Sequence, residues 1–352
     1  SARFPAAAWA RLTRQVLSEG GGFLSPVPHQ GLPALRRAIA ADLRDYKGMA
    51  VSWEQIVVGA GAEYLYLLLA QLLGRGAVFA LEDPGYPKIR QVYGKCGVVC
   101  RPVPLDRQGM DLSALRASGA NVAHLSPAHH YPTGLITPIA RRQALLRWTE
   151  EIGGVIIEDD YDSEFRFTGR PLPTLQSIDS GGRVVYLNTF SQTISPSMRI
   201  GFMVLPPRLL ETYRRELDFY ACTVPALEQH VLARFLDRGA YEQHLSRLRK
   251  EYRARRAAVL EAFRTSPFAN RITIVEQGSG LHFLLRLDTA QSDEDLRRRG
   301  EALGVRLGFL SAYAAVPRES YAHTLVVNYA ALAPERLPEA MALLAEVFRE
   351  EG

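Results

Sequence analysis

The feature that most constrains this chain is the repeated hand-over from short apolar runs to turns and then to helix-period patterns. Gln55-Ile-Val-Val58, Ala77-Val-Phe-Ala-Leu81, Val98 to Val103, Val122 to Leu125, Gly154-Val-Ile-Ile157 and Val184-Val-Tyr-Leu187 all read as buried strands. Helical patterns at Tyr64 to Leu73, Leu112 to Ala117 and Ile139 to Ile152 separate several of them. Strands alternating with helices mark an α/β chain. Ahead of this region, one amphipathic helix lies around Trp9, Leu12 and Val16, closed by Gly20 to Gly22, and a second runs through Tyr46 to a stop at Gly48. Beyond Gly201 the pattern becomes mainly helical, over Pro207 to Ala221, Leu227 to Leu236 and Tyr241 to Phe263. Strands at Ile272 to Glu276, His282 to Leu287, Val305 and Thr324 to Asn328, with helices at Asp293 to Leu303 and Pro334 to Arg349, complete a smaller α+β unit.

With 352 residues and 47% hydrophobic content the chain can fill a large core split between two domains. A net charge of +5 permits anionic ligands, but the densest basic clusters, Arg247 to Arg256 and Arg297 to Arg299, sit on helical stretches and read as solvated faces rather than a nucleic-acid patch. Cys96, Cys100 and Cys222 lack metal-ligand spacing, and the pair around the third strand reads as small buried hydrophobes. No run approaches the roughly 20 apolar residues of a membrane helix, and the N-terminus has no signal-peptide pattern, so the expectation is a reducing cytoplasm and no membrane partner.

Several stretches carry chemistry. Val184 to Gly201 opens as a strand and breaks into hydroxyl residues, with Ser191, Thr193 and the lone cation Arg199 just past the strand end, where α/β sheets hold ligands. Arginine suits a phosphate because its planar fork bonds two oxygens. Gly59-Ala-Gly61-Ala62-Glu63 is a small-residue turn between strand and helix, which lets backbone N–H groups approach a phosphate, although glycines in such places often only make a turn. Two prolines and a glycine in Glu82-Asp-Pro-Gly-Tyr-Pro87 fix the backbone around Tyr86. His129, in Ser126-Pro-Ala-His-His-Tyr-Pro-Thr-Gly134, reads equally as a structural histidine or a site residue. In Gly154 to Phe165 an apolar strand runs straight into acids, and carboxylates near a core need partners. A cationic ring nitrogen would be one, for Asp159 or Asp160.

Ser191-Gln-Thr-Ile-Ser-Pro-Ser-Met-Arg-Ile-Gly201 resembles the Ser-Lys-x-x-x-Pro-x-x-Arg-x-Gly loop of fold-type I pyridoxal-phosphate (PLP) enzymes, the class I/II aminotransferase superfamily. Phe4-Pro5 with Trp9, Gly31, Asp83-Pro-Gly-Tyr86 and Ile156 to Phe165 follow in that family's order. Glu158-Asp-Asp-Tyr-Asp-Ser-Glu-Phe165 with Pro171-Leu-Pro173 is most similar to the aminotransferase-like effector domain of MocR/GabR-type regulators of the GntR family. The resemblance implies a large PLP-binding domain over 46–235 with a mostly parallel seven-stranded sheet, a small C-terminal domain over 236–352, and an N-terminal segment, 1–45, contributing to the small domain. It implies a phosphate cup from Gly61, Ala62, Glu63, Ser191 and Arg199, a ring-stacking Tyr86, a ring-nitrogen partner at Asp159, a ring-hydroxyl partner at Tyr161, and a place for His129 beside the cofactor. It also implies a homodimer, because fold-type I sites are built from both subunits.

Departures from the pattern cluster on the side of the chemistry. Gln192 stands where the family places its Schiff-base lysine, Pro26 roughly where many members have a tyrosine for the partner's phosphate, and Val326 about where an arginine binds a substrate carboxylate. Glutamine cannot form an imine or shuttle a proton, and general acid–base help is worth about 10²–10⁴ in rate. The resemblance therefore implies non-covalent PLP binding and sensing of a small-molecule amine or amino acid, with DNA met only through a winged helix-turn-helix module absent from this chain. The alternatives are an amino-acid aminotransferase carrying a lysine-to-glutamine substitution, and a catalytically inactive scaffold of the same fold.

Overall fold

A computed structural model describes residues 4–350 apart from Arg75, Arg170, Pro171, Arg238 and Gln277, so Pro171 of the Pro171-Leu-Pro173 motif lies outside the described residues. Two helices come first, α1 (Ala6–Ser18) and α2 (Pro33–Lys47), followed by β1 (Ile56–Gly59), α3 (Ala62–Leu73), β2 (Val78–Asp83), α4 (Pro87–Lys95), β3 (Val99–Asp106) and β4 (Gly109–Met110). The chain continues through α5 (Leu112–Ala117), β5 (Val122–Leu125), α6 (Ile139–Ile152), β6 (Val155–Asp160), β7 (Val184–Thr189) and β8 (Gly201–Val204). Helices α7 (Pro207–Glu216), α8 (Ala226–Asp237) and α9 (Ala240–Arg264) lead to β9 (Ile272–Val275), β10 (His282–Leu287), α10 (Asp293–Ala302), β11 (Thr324–Asn328) and α11 (Leu337–Val347).

Strands β1 to β8 form one sheet in the order β1-β8-β7-β6-β5-β2-β3-β4. Pairing is parallel from β7 across to β3 and antiparallel where β8 meets β7 and β1, and where β4 meets β3. The expected seven strands are therefore joined by an eighth, the two-residue β4, a hairpin return too short to show a pattern. Beyond Gly201 the chain first makes strand β8 before turning helical, and Val305 lies outside any strand. Strands that run parallel are covered on both faces, which is why β5, β6 and β7 each open on an apolar run and turn polar only toward their C-terminal ends. One face packs Leu65, Leu69, Phe79, Ile157 and Leu187 with helix α3, and the other packs Val103, Leu145, Trp148 and Ile156 with α6.

Helix α2 begins with Pro33 at its first turn and stops at Gly48 in the left-handed region (φ +64°). Its buried residues Leu35, Ile39 and Leu43 recur at four-residue spacing and pack with Leu12, Val231, Phe235 and the β1 end of the sheet. Each such side chain is worth roughly 1.5–3 kcal/mol when fully buried. A separate core under the three-stranded sheet β11-β10-β9 gathers Leu248, Tyr252, Phe263, Phe283, Leu285 and Phe348. No described helix is long and apolar enough to cross a membrane. Cys96 is exposed and Cys100 half-buried, in place of the buried pair expected, because Cys96 caps α4 instead of entering β3.

The segment between α10 and β11 reaches back over the eight-stranded sheet. Asp83 at the end of β2 accepts from the Ala315 (2.5 Å) and Val316 (3.1 Å) amides, Gly85 N–H donates to the Tyr313 carbonyl (3.1 Å), and the Tyr313 and Tyr131 hydroxyls share a 2.8 Å bond. This strap closes one side of a hollow at the C-terminal edge of the parallel strands.

Candidate ligand-binding site

That hollow has a volume of about 360 Å³, and its wall is shared by the strand ends and the strap. Ala62 and Glu63 come from the start of α3, Tyr86 from the β2–α4 turn, Asp159 and Tyr161 from the end of β6, and Ser191, Gln192 and Arg199 from the β7–β8 loop. The C-terminal part of the chain adds His282 at the start of β10, Tyr313, and Asn328 at the end of β11. Most of the residues singled out in the sequence thus converge on one wall. Gly61 and His129 are not on it: Gly61 lies beneath Arg199, and His129 is buried behind Tyr161 and Asp162.

At one end, β1 hands over to α3 at Gly61, whose φ is +83°. A Cβ on Gly61 would come within 2.8 Å of Arg199 Nη2 and 2.9 Å of its Cζ, so the glycine lets the guanidinium lie against the turn. Arg199 itself sits in the left-handed region (φ +49°). Its loop is pinned by Phe190 N–H to the Ile200 carbonyl (2.9 Å), by Tyr241 O–H to the Thr193 hydroxyl (3.1 Å), and by His244 Nε2–H to the Thr193 carbonyl (2.7 Å). Glu63 accepts from Arg199 (3.3 Å) and from Lys88 (2.7 Å).

The middle of the wall is carboxylate and imidazole. Asp159 takes two donors on Oδ2, Tyr66 O–H at 2.5 Å and His124 Nε2–H at 3.2 Å, and Tyr93 O–H donates to His124 Nδ1 at 2.8 Å. Asp160 points the other way, to Lys47 (2.8 Å) and Tyr186 (2.6 Å), because successive strand residues face opposite sides. Tyr161 O–H lies 3.2 Å from His129 Nδ1, and burial with the nearby Asp162 charge keeps that phenol well above its ordinary range. His129 Nδ1 is 3.0 Å from Asp162 Oδ2, and His282 Nε2–H donates to the Pro132 carbonyl at 3.0 Å. His129, Asp162 and His282 bring metal-type donors within 4.8 Å of one another, with His129 and Asp162 bonded to each other and His282 to the Pro132 carbonyl.

Glu82 is the site's neutral acid. Burial pushes its carboxyl up to about 8, while burial and the neighbouring His129 push His130 down to about 3. Glu82 Oε2 lies 3.3 Å from His130 Nε2 and accepts from the Ser126 N–H at 2.9 Å. Tyr66, His124 and Tyr313 carried no sequence motif, while Glu82, His130, Tyr131 and Asp162 lie within motifs of the sequence that gave them no role. Val326 does not reach this cavity and lines a separate groove beside α11.

Amines are scarce. The chain has four lysines, Lys47, Lys88, Lys95 and Lys250, and none lines the hollow among the described residues. Gln192 is exposed to the cavity.

A family model described as aminotransferase class I and II matches residues 1–340. The chain is 36% identical over 305 residues to an uncharacterised HTH-type transcriptional regulator of Bacillus subtilis, YhdI, covering 86% of this chain and 65% of that protein. It is 32% identical over 349 residues to the probable rhizopine catabolism regulatory protein MocR of Rhizobium meliloti, covering 98% and 70%. The chain thus spans about two thirds of the length of these relatives. Among solved structures, the α-aminoadipate aminotransferase LysN of Thermus thermophilus, complexed with N-(5′-phosphopyridoxyl)-L-leucine, superposes with a TM-score of 0.83 at 27% identity over 98% of this chain and 88% of that one.

Proposed function

The chain belongs to the aminotransferase class I and II family, and on that premise we propose that it is the effector-sensing domain of a MocR-type transcription regulator, holding pyridoxal 5′-phosphate without a covalent bond. One observation carries the reading: Gln192 stands on a wall with no lysine among its described residues, while Arg199, Asp159 and Tyr161 converge on the same hollow. The cradle fits the group. Gly61 leaves room for the Arg199 fork, which suits a phosphate carrying about −1.5 to −2 charges. Tyr66 and His124 donate to Asp159 Oδ2 and hold the carboxylate in place for a ring nitrogen. Tyr161 stays protonated and can donate to a ring oxygen. Tyr86, 40% exposed beside the cavity, supplies an apolar face for the ring.

Bound PLP supplies an electrophilic aldehyde and an electron-withdrawing ring. This chain's residues bind and orient it, and Gln192 offers an amide where a proton-moving amine would be required for turnover. YhdI is named as an HTH-type transcriptional regulator and MocR as a probable regulatory protein, and we assign DNA contact to a separate module rather than to this fold. The amino ligand would enter beside Gln192, and the working form would be a cytoplasmic homodimer.

The test is spectroscopic. Full-length chain should take up PLP with a free-aldehyde absorbance band that dialyses away. Gln192→Lys should convert that band to a non-dialysable one. Steady transamination by this variant with amino donors would favour the alternative, an aminotransferase whose lysine has become glutamine. A chain that takes up no PLP under any condition removes both readings.

A further inference from the structure

The ion chain at the Arg199 end is uneven. Lys88 Nζ holds Glu63 Oε1 at 2.7 Å, whereas Arg199 Nη2 stands 3.3 Å from Glu63 Oε2. All three side chains are about half exposed, so no burial locks them together. Arg199 is the fixed member, seated on Gly61 and carried by a pinned loop. Glu63 is the movable one, on the first turn of α3, where negative charge is favoured. Hydrogen bonding from Lys88 holds its carboxyl below the usual range.

We propose that Glu63 is a built-in counter-ion that sets a charge threshold for the ligand: it neutralises Arg199 until a group carrying close to two negative charges displaces it onto Lys88, so the site selects a phosphate monoester over singly charged anions. The inference rests on the reading that the Arg199 end receives phosphate. A singly charged carboxylate offers Arg199 no more than Glu63 already supplies, and it must also face Glu63's own charge. A phosphate dianion offers nearly twice the charge and two oxygens for the guanidinium fork. The displaced carboxylate keeps its shorter bond to Lys88, two residues beyond Tyr86, so it has somewhere to go.

Equilibrium dialysis of the full chain tests this with PLP, with pyridoxal, which lacks the phosphate, and with acetate as competitor. Glu63→Gln should tighten PLP about tenfold at low salt and leave pyridoxal unchanged. It should also let acetate compete where it does not compete against the unsubstituted chain, and the gain should shrink as salt is added. Lys88→Met should weaken PLP by leaving Glu63 to Arg199 alone, and the double variant should recover the loss. Uptake of PLP by the unsubstituted chain together with an indifferent or weakened Glu63→Gln overturns the counter-ion, as does an equal shift for pyridoxal or a double variant as weak as Lys88→Met. No uptake by any of the proteins overturns the phosphate reading and this inference with it, whereas uptake by Glu63→Gln alone supports the counter-ion.

Discussion

At the scale of single residues, β6 ends in two adjacent carboxylates with different surroundings. The pleat separates them: Asp159 faces the cavity with Tyr66 and His124, and Asp160 faces Lys47 and Tyr186. Asp159→Asn should therefore lower PLP affinity in dialysis by roughly tenfold or more with little change in melting temperature. Asp160→Asn should do the reverse, costing about 2–3 kcal/mol in denaturant unfolding because Lys47 loses a buried partner. Glu82 had no signal at all, since only folding puts its carboxyl in a low-dielectric wall. Its folded pKa, about 8, lies above the ordinary 4.5, so the folded state keeps a proton that the unfolded chain releases. Stability drawn from this group then falls as pH rises from about 4.5 to 8. Glu82→Gln should remove that slope, gaining on the order of 3 kcal/mol relative to the unsubstituted chain between pH 5 and 8, read from urea unfolding at the two pH values. An unchanged slope would mean that Glu82 is ionised in the fold.

Elements were legible where their pattern was long or closed by a clear stop. The Ile139–Ile152 helix and the Val122–Leu125 and His282–Leu287 strands fall where the apolar spacing put them. Strand β8 was not seen because its four residues follow directly on the ligand loop, with no turn signal to announce a strand that returns antiparallel between β1 and β7. Positions that need glycine were visible as residues but not as reasons. Gly280, at φ +71° ahead of β10, would place a Cβ 1.9 Å from His129 Cε1. Gly280→Ala should thus push His129 off Asp162 and Tyr161, with a loss of about 2 kcal/mol or more in thermal melts and a displaced Tyr161 in the PLP absorbance band. A silent variant would show that this turn can relax without moving the site.

Across the whole molecule, the strap is the contact that sequence pattern could not supply, because its partners lie 182 to 233 residues apart. Asp83 accepts both amides, so Asp83→Asn should speed hydrogen exchange at Ala315 and Val316 while leaving the α2 and β7 amides protected. Sedimentation at micromolar concentration should show a dimer, and a monomer there would count against a site shared between subunits. A wall with no lysine among its described residues has a further consequence, in tempo. A guest held only by ion pairs and hydrogen bonds departs on its own clock. At micromolar affinity and an association rate of about 10⁶ M⁻¹s⁻¹, that clock runs at roughly a second. Occupancy would then follow the surrounding vitamin level almost as it changes, with no bond to hydrolyse before the next reading.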